Sequence, residues 1–209
     1  MNDLNLKELL IGDLNRLRYV QRYSTSMVMH RENVAEHSYY VGLYAYYLVR
    51  WVYTNTDEAP RTVDILTRAM FHDVDEARTG DFQRPFKYSN PELKEMMDRA
   101  AQHEAGIVIS APLPDDSMFL QDALNSWRCA KDKSIEGCII ALADFMAVVS
   151  YLWQEAAYAC PTLHLNYTTL LAYIHTFDDV SYEPLRPIIR ELAEIVNTVA
   201  NQAIGAKVG

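Results

Sequence analysis

An all-α helical bundle is the fold class that this chain predicts, and three observations predict it. Apolar residues recur at steps of three and four over long stretches, the period of a helix with one buried face. The 7 Gly and 8 Pro are too sparse to punctuate many short strands. Half of the residues are hydrophobic, a globular composition that a disordered chain lacks. The 209 residues fit one domain, 1–209, large enough to bury a substantial core.

The elements follow in order. Leu4 to Asn15 reads as a short opening helix, and Arg16 to Asn33 lacks a clean period and reads as irregular. From Val34 to about Tyr53, His37, Val41, Tyr44, Leu48 and Trp51 share one helical face. After a loop from Thr54 to Pro60, a helix runs from Arg61 to Phe71, with Pro60 near its start. His72 to Asn90 holds Gly80, Pro85 and many charges, and is expected to be a functional loop. Pro91 opens a helix to about Ile109; Pro112 and Pro114 then break the chain. Asp115 or Asp116 is expected to cap a helix ending near Ala130. The most hydrophobic helix spans Ser134 to Tyr158, followed by helices over Asn166 to Phe177 and Pro184 to Ala203. Tyr39, Tyr40, Tyr44, Tyr46 and Tyr47 are expected to pack their rings and leave their hydroxyls at the surface.

Charge and cysteine content narrow the partners. A net charge of −9 disfavours a nucleic-acid polymer or an anionic membrane, but a few local Arg and Lys residues can still hold one phosphate. Cys129, Cys138 and Cys160 form no CxxC pair, and an odd count disfavours a disulfide framework. The N-terminus lacks a basic segment followed by an apolar one. The apolar stretch from Cys138 to Trp153 is broken by Asp144 and short for a bilayer. A cytoplasmic protein with free thiols and no membrane partner is expected.

Asp144 is the most informative residue. It is the one charge between Cys138 and Trp153, in a helix apolar nearly all round and therefore buried. A buried lone carboxylate is costly unless it is paired or binds a metal; the alternative to a metal is an Arg or Lys on a neighbouring helix. His72-Asp73 ends an apolar-patterned helix, where both side chains can face one cation. His37 lies on the apolar face of its own helix, where a lone histidine is more often a satisfied core residue. Taken together, two imidazoles and two carboxylates leave room for water on a six-coordinate divalent ion. Water so bound is a nucleophile near neutral pH.

The order H…HD…D on a helical bundle resembles the HD phosphohydrolase superfamily. More narrowly, RYSTSMVMHRENVAEHS (Arg22 to Ser38), FHDVDEARTGDFQRPFKY (Phe71 to Tyr88) and LADF (Leu142 to Phe145) resemble the bacterial 5′-deoxynucleotidase family of YfbR type. Phage dATP triphosphohydrolases share this compact HD-domain helical bundle. The resemblance runs from about Leu6 to Glu155; the last 50 or so residues add little.

What the resemblance implies is specific. His37, His72, Asp73 and Asp144 match the metal ligands, for one divalent ion whose identity (Co2+, Mn2+, Zn2+ or Mg2+) stays open. Glu76 matches the acid that orients or protonates during phosphoester cleavage, and it stands one turn beyond His72. Asp81 in the TGD element matches the residue that holds the sugar hydroxyl, and Thr79 and Gly80 shape its turn. Arg22 matches a phosphate-binding arginine, and Lys87 can add a second positive charge. Tyr23 stands where the family usually has a tryptophan that packs the deoxyribose, and Gln83 stands for a usual proline. These departures leave base preference and strictness of the deoxy requirement open. The side chains of Arg22 and Tyr23 are expected to diverge, one to phosphate and one to sugar or base. Between the HD pair and the final Asp the one histidine is His103, which favours a single metal over a binuclear centre.

Three functions fit these residues. The first is removal of the 5′-phosphate from 2′-deoxynucleoside monophosphates. The second is release of triphosphate from deoxynucleoside triphosphates, which extra cations such as Arg84, Lys87 and Lys94 would favour. The third, a non-catalytic nucleotide sensor, would call for a broken ligand set, and the set is complete. Related proteins form symmetric oligomers, so a homo-oligomer is expected, with the apolar C-terminal helices as a possible interface.

Overall fold

The computed structural model describes residues 4–114, 118–158 and 170–205, and helices dominate them. Among the described residues there is no strand; an isolated antiparallel bridge pairs Gln21 with Asn33 and closes the irregular segment into a loop.

Helix α1 is Leu6–Ile11, shorter than expected, because Gly12 leaves helical backbone and the chain continues as a 3-10 turn over Asp13–Arg18. Helix α2, Val34–Asn55, starts at a capping box: the Asn33 side chain accepts the Glu36 N–H and the Glu36 carboxylate accepts the Asn33 N–H. Two polar residues of the ENVAEHS motif thus start the helix that carries His37. Helix α3, Thr62–Phe71, ends at His72. The expected loop beyond it contains two single-turn helices, α4 (Glu76–Thr79) and α5 (Arg84–Lys87). Helix α6, Pro91–Ser110, has Asn90 as its cap and Pro91 at its first position.

Helix α7 is described over Met118–Arg128; its expected cap at Asp115 or Asp116 lies outside the described residues. Helix α8, Ile135–Ala157, is capped by Ser134, whose hydroxyl accepts the Gly137 N–H. Of the helix expected over Asn166 to Phe177, residues 166–169 lie outside the described residues; 170–174 are helical and run into a 3-10 turn, His175–Asp178. Pro184 sits inside a further 3-10 turn, Val180–Leu185, so the last helix, α9, begins two residues later, at Arg186, and runs to Gly205.

Two apolar clusters hold the bundle together. In the larger one, Val41, Leu48 and Val52 of α2 pack with Ile65 of α3 against Ile139, Leu142 and Phe145 of α8. The smaller one joins Val74 and Ala77, just after the HD pair, to Val108 of α6 and Leu120 of α7. The His72–Asp81 segment lies where the two meet. Helix α8 has 23 residues and is long and apolar enough to cross a membrane, which a reading of Cys138 to Trp153 alone misses. It is nevertheless largely buried within the bundle as its central core helix. Tyr44 packs against the larger cluster as expected, but Tyr39 and Tyr47 depart from expectation. Tyr39 and Tyr47 are about two-thirds exposed and make edge-on pairs with Tyr40 and Tyr46. They lie away from the buried face formed by Val41, Ala45 and Leu48.

Candidate active site

Three helices bring the chemistry together. His37 comes from α2, His72 from the end of α3 and Asp144 from the middle of α8, and one ligand atom of each lies within 4.8 Å of the others. Nε2 of His37 is 2.9 Å from Oδ1 of Asp144 and 3.8 Å from Oδ2 of Asp73. Asp73 therefore joins the same cluster. Nδ1 of His72 donates to the Ala69 carbonyl at 2.8 Å, which leaves the lone pair on Nε2. That Nε2 is buried and sits 2.9 Å from Oδ2 of Asp73. So close an approach is attractive when a cation, either a proton or a metal ion, lies between the two atoms. The donor set, two imidazole nitrogens and two carboxylates, suits a divalent metal.

The electrostatics point the same way. Burial pushes the His37 imidazole down to about 4, so the ring is neutral at neutral pH and can offer a lone pair. Burial alone would raise the two aspartates. The proton shared with His72 and the charge of Lys131 outweigh it at Asp73, and the charge of Lys131 and the hydrogen bond to His37 outweigh it at Asp144, so both stay well below the usual carboxylate range. Glu76 behaves in the opposite way. Burial, followed by the nearby Asp73 and Asp81 carboxylates, holds it well above the usual range and favours the protonated acid. Asp81 is raised too, by burial in the first place. One acid that prefers its proton thus stands beside two that do not.

The cluster forms part of the wall of a cavity of about 780 Å3, within the size range of small-molecule sites. Arg22, Tyr23, Glu76, Asp81 and Lys87 share that wall. Nη1 of Arg22 lies 3.8 Å from Asp73 and its Nε 3.4 Å from Glu32. The expectation that Arg22 and Tyr23 diverge is corrected: the Arg22 guanidinium lies over the Tyr23 ring, 5.7 Å from its centroid. Tyr23 has a φ of 54°, rare for a residue with a side chain. The turn brings its backbone N–H to the Asp81 carboxylate and its ring back beneath Arg22. Gly80, with a φ of 78°, gives the TGD element the left-handed step that places Asp81 there. Gln83 donates to the Ser26 hydroxyl at 3.1 Å, tying the same turn to the Arg22 segment.

Other expected residues lie further off. Lys87 lines the cavity but is 4.0 Å from Asp98, which Lys94 also pairs with. The side chain of Arg84 lies outside the described residues. His103 lines a separate groove between α6 and α7, away from the cluster. Cys129 and Cys138 are free thiols, and Cys160 lies outside the described residues.

Residues 10–182 match the family described as 5′-deoxynucleotidase YfbR-like. The chain belongs to that family. As a YfbR-like protein it is 35% identical over 96 residues to a 5′-deoxynucleotidase of Pasteurella multocida, covering 43% of this chain and 48% of that one. It is 27% identical over 142 residues to a 5′-deoxynucleotidase of Pectobacterium atrosepticum, covering 66% and 70% respectively. The chain spans about half the length of several curated relatives that it matches. An HD-domain phosphohydrolase from Listeria innocua superposes with a TM-score of 0.71 at 22% identity, over 93% of this chain and 98% of that one. The HD phosphohydrolase DatZ of cyanophage S-2L, solved with dA and one catalytic Zn2+, superposes at 0.56 with 18% identity, over 88% and 96%. The all-α bundle of this YfbR-like chain is therefore an HD-domain fold.

Two residues of the YfbR-like site escaped the sequence reading. Glu32 is buried beside Arg22 and lies 3.9 Å from Nδ1 of His37. Burial raises it to about 7 although Arg22 draws it down. Lys131 places its ammonium 2.6 Å from Oδ2 of Asp144. The cationic partner sought for Asp144 on a neighbouring helix thus comes from the turn before its own helix. Both residues are of ordinary surface type in irregular segments, so no period marks them.

Proposed function

We propose that this protein is a metal-dependent 5′-deoxynucleotidase that removes the phosphate from 2′-deoxynucleoside monophosphates. The observation that carries the reading is the convergence of His37, His72 and Asp144 within 4.8 Å on the wall of a cavity that also holds Arg22. In this reading His37, His72, Asp73 and Asp144 hold one divalent ion, whether Co2+, Mn2+, Zn2+ or Mg2+. A bound ion supplies Lewis acidity and an acidified water for attack on phosphorus.

The chain's own groups do the rest. Arg22 grips phosphate oxygens with its guanidinium fork. Glu76 carries a proton that it can give to the leaving 5′-oxygen. Asp81 accepts from the sugar hydroxyl, and Tyr23 packs against sugar or base. Lys87 adds positive charge on the cavity wall, offset in part by Asp98 4.0 Å away. The domain extends over residues 1–209. A cytoplasmic setting and a homo-oligomeric assembly, with neither a nucleic-acid polymer nor a membrane as partner, belong to the same reading, supported by the acidic charge and the buried position of α8.

The second reading, release of triphosphate from a deoxynucleoside triphosphate, draws support from Lys94 and Arg128, which also line the cavity. Asp98 counts against it, because it pairs with Lys94 and also lies 4.0 Å from Lys87, which reduces the positive charge there. The deciding experiment incubates the metal-loaded protein with deoxy- and ribonucleoside mono- and triphosphates and identifies the products. Orthophosphate from deoxynucleoside monophosphates is expected. Intact triphosphate would establish the second reading, and no turnover of any of them would overturn both.

A further inference from the structure

Lys131 lies outside every segment that carries the family resemblance, yet its ammonium is among the groups nearest the metal-type cluster. Its setting is built with care. Arg68 is buried on α3, one turn before His72, and donates from Nη1 to the Cys129 carbonyl at 2.6 Å. The same nitrogen lies 3.2 Å from both Oδ1 of Asp132 and Oγ of Ser134. Asp132 in turn accepts the Ser134 N–H at 3.0 Å. Residue 137, in the first turn of α8, is glycine, and a Cβ there would stand 2.3 Å from the Asp132 carbonyl oxygen. A buried arginine, an aspartate-centred turn and a close-approach glycine all serve the five residues that present Lys131 to the cavity.

Charge counting says what that ammonium is for. Asp73 and Asp144 together carry two negative charges, which a divalent ion matches. Arg22 has Glu32 beside it at 3.4 Å as well as Asp73. Among the described residues Asp144 is the one ion-pair partner of Lys131. Once Asp144 serves a dication, the Lys131 ammonium gives up that partner and stands on the wall of the same cavity as the ion, where an anion bound to the ion would lie. An ammonium on a cavity wall whose own carboxylate is engaged elsewhere calls for another anionic partner.

We infer that Lys131 is a second phosphate-binding residue, which exchanges its contact with Asp144 for an oxygen of the substrate's phosphate and holds that group together with Arg22. The inference rests on the phosphate-cleaving function proposed above. Its rival is that Lys131 only neutralises Asp144.

Binding measurements separate the two without turnover. Mn2+ alone, and then inorganic phosphate on the Mn2+-loaded protein, are titrated by calorimetry into wild type, Lys131→Met and Lys131→Arg. Met keeps most of the stem and removes the charge; Arg keeps the charge. Phosphate affinity is expected to fall about tenfold or more in Lys131→Met, the scale of a charge-assisted contact. In Lys131→Arg it should stay within a few-fold of wild type, and Mn2+ affinity should be equal or tighter in Lys131→Met. Unchanged phosphate affinity in Lys131→Met, with tighter Mn2+, would establish the rival and overturn the inference. Mn2+ affinity weakened in both variants would overturn it as well, by making Lys131 a support of the metal centre. A wild type that binds Mn2+ but no phosphate would instead remove the proposed function on which the inference rests. If Lys131→Met does not fold, Lys131→Arg still decides: loss of phosphate affinity with the charge retained counts against the inference.

Discussion

Tyr23 and Tyr151 stack face to face, their ring centroids 4.9 Å apart and their planes within 8° of parallel. Tyr151 is on α8, two turns beyond Asp144, so the helix that presents a metal-type carboxylate also sets the ring beside Arg22. Removing Tyr23 should therefore change pocket shape and not phosphate affinity. We expect Tyr23→Ala to lower the deoxy-to-ribo ratio of kcat/KM by roughly 2–12-fold, the scale of a lost aromatic packing contact. Tyr151→Leu should move the ratio the same way by less. Arg22→Ala should cut kcat/KM for both sugars by about 10–100-fold and leave the ratio alone. The opposite pattern, with Arg22→Ala shifting the ratio and Tyr23→Ala not, would reverse the two assignments.

One turn further along α8, the buried Glu155 carboxylate accepts the backbone N–H groups of Met29 and His30 at 2.6 and 2.8 Å. The Tyr151 hydroxyl donates to the His30 carbonyl. These bonds fasten the loop that carries Arg22, so Glu155 positions it without touching the cavity. Glu155→Gln turns one acceptor oxygen into a donor facing an N–H, and should cost about 1–3 kcal/mol of stability in urea unfolding. Steady-state kinetics should show KM rising more than kcat falls. A variant with wild-type KM and lower stability would confine Glu155 to folding.

Asp144→Asn and Glu76→Ala should fail in different ways. The first keeps size and loses charge, and its metal content, read by elemental analysis of folded protein, should fall beyond the roughly 10–100-fold affinity loss seen for outer-shell changes. Glu76→Ala should retain metal and bind substrate while kcat drops about 10²–10⁴-fold, the usual range for a lost acid or base. Full metal content in Asp144→Asn would remove it from the ligand set. Near-normal turnover in Glu76→Ala would send the proton transfer elsewhere.

Glu32 makes stability depend on pH in the metal-free protein. Its folded value of about 7 lies above the ordinary 4.5, so folding takes up a proton between them. Its contribution is full below 4.5 and is lost as pH rises through 7. His37 acts in the other sense: with a folded value of about 4 against 6.5, it adds stability that is lost as pH falls through 4. Glu32→Gln isolates the first effect. Chelator-treated wild type should lose on the order of 2–3 kcal/mol from Glu32 between pH 5 and 8, and the variant should lack that part of the slope. Equal slopes in urea melts across that range would mean that the Arg22 pair keeps Glu32 ionised throughout.

What could be read from the sequence follows from what is local. The period of α2 put His37 on a buried face, and the apolar run of α8 made Asp144 too costly to leave unmatched. Both inferences use neighbours within a few turns, and the structure brings those residues together with the His72-Asp73 pair. Pro60 and Pro91 located helix starts for the same reason. The tyrosines of α2 show where local reading stops. Their spacing is helical, but which side of α2 meets α8 is set by the other helices, and Tyr39 and Tyr47 face outward.

The chain by itself determined an all-helical bundle, through its helical period, and the family resemblance of its motifs marked His37, His72, Asp73 and Asp144 as candidates for one cluster. Tertiary structure alone decided the surroundings of that cluster. Lys131 meets Asp144 from a turn that Arg68 fastens 61 residues away. Glu155 clamps a loop 126 residues distant, and Glu32 reaches His37 from the segment before α2. Such contacts join ordinary Lys and Glu residues to groups distant in the chain, and only the packing of α2, α3 and α8 brings them within a few ångströms of one another.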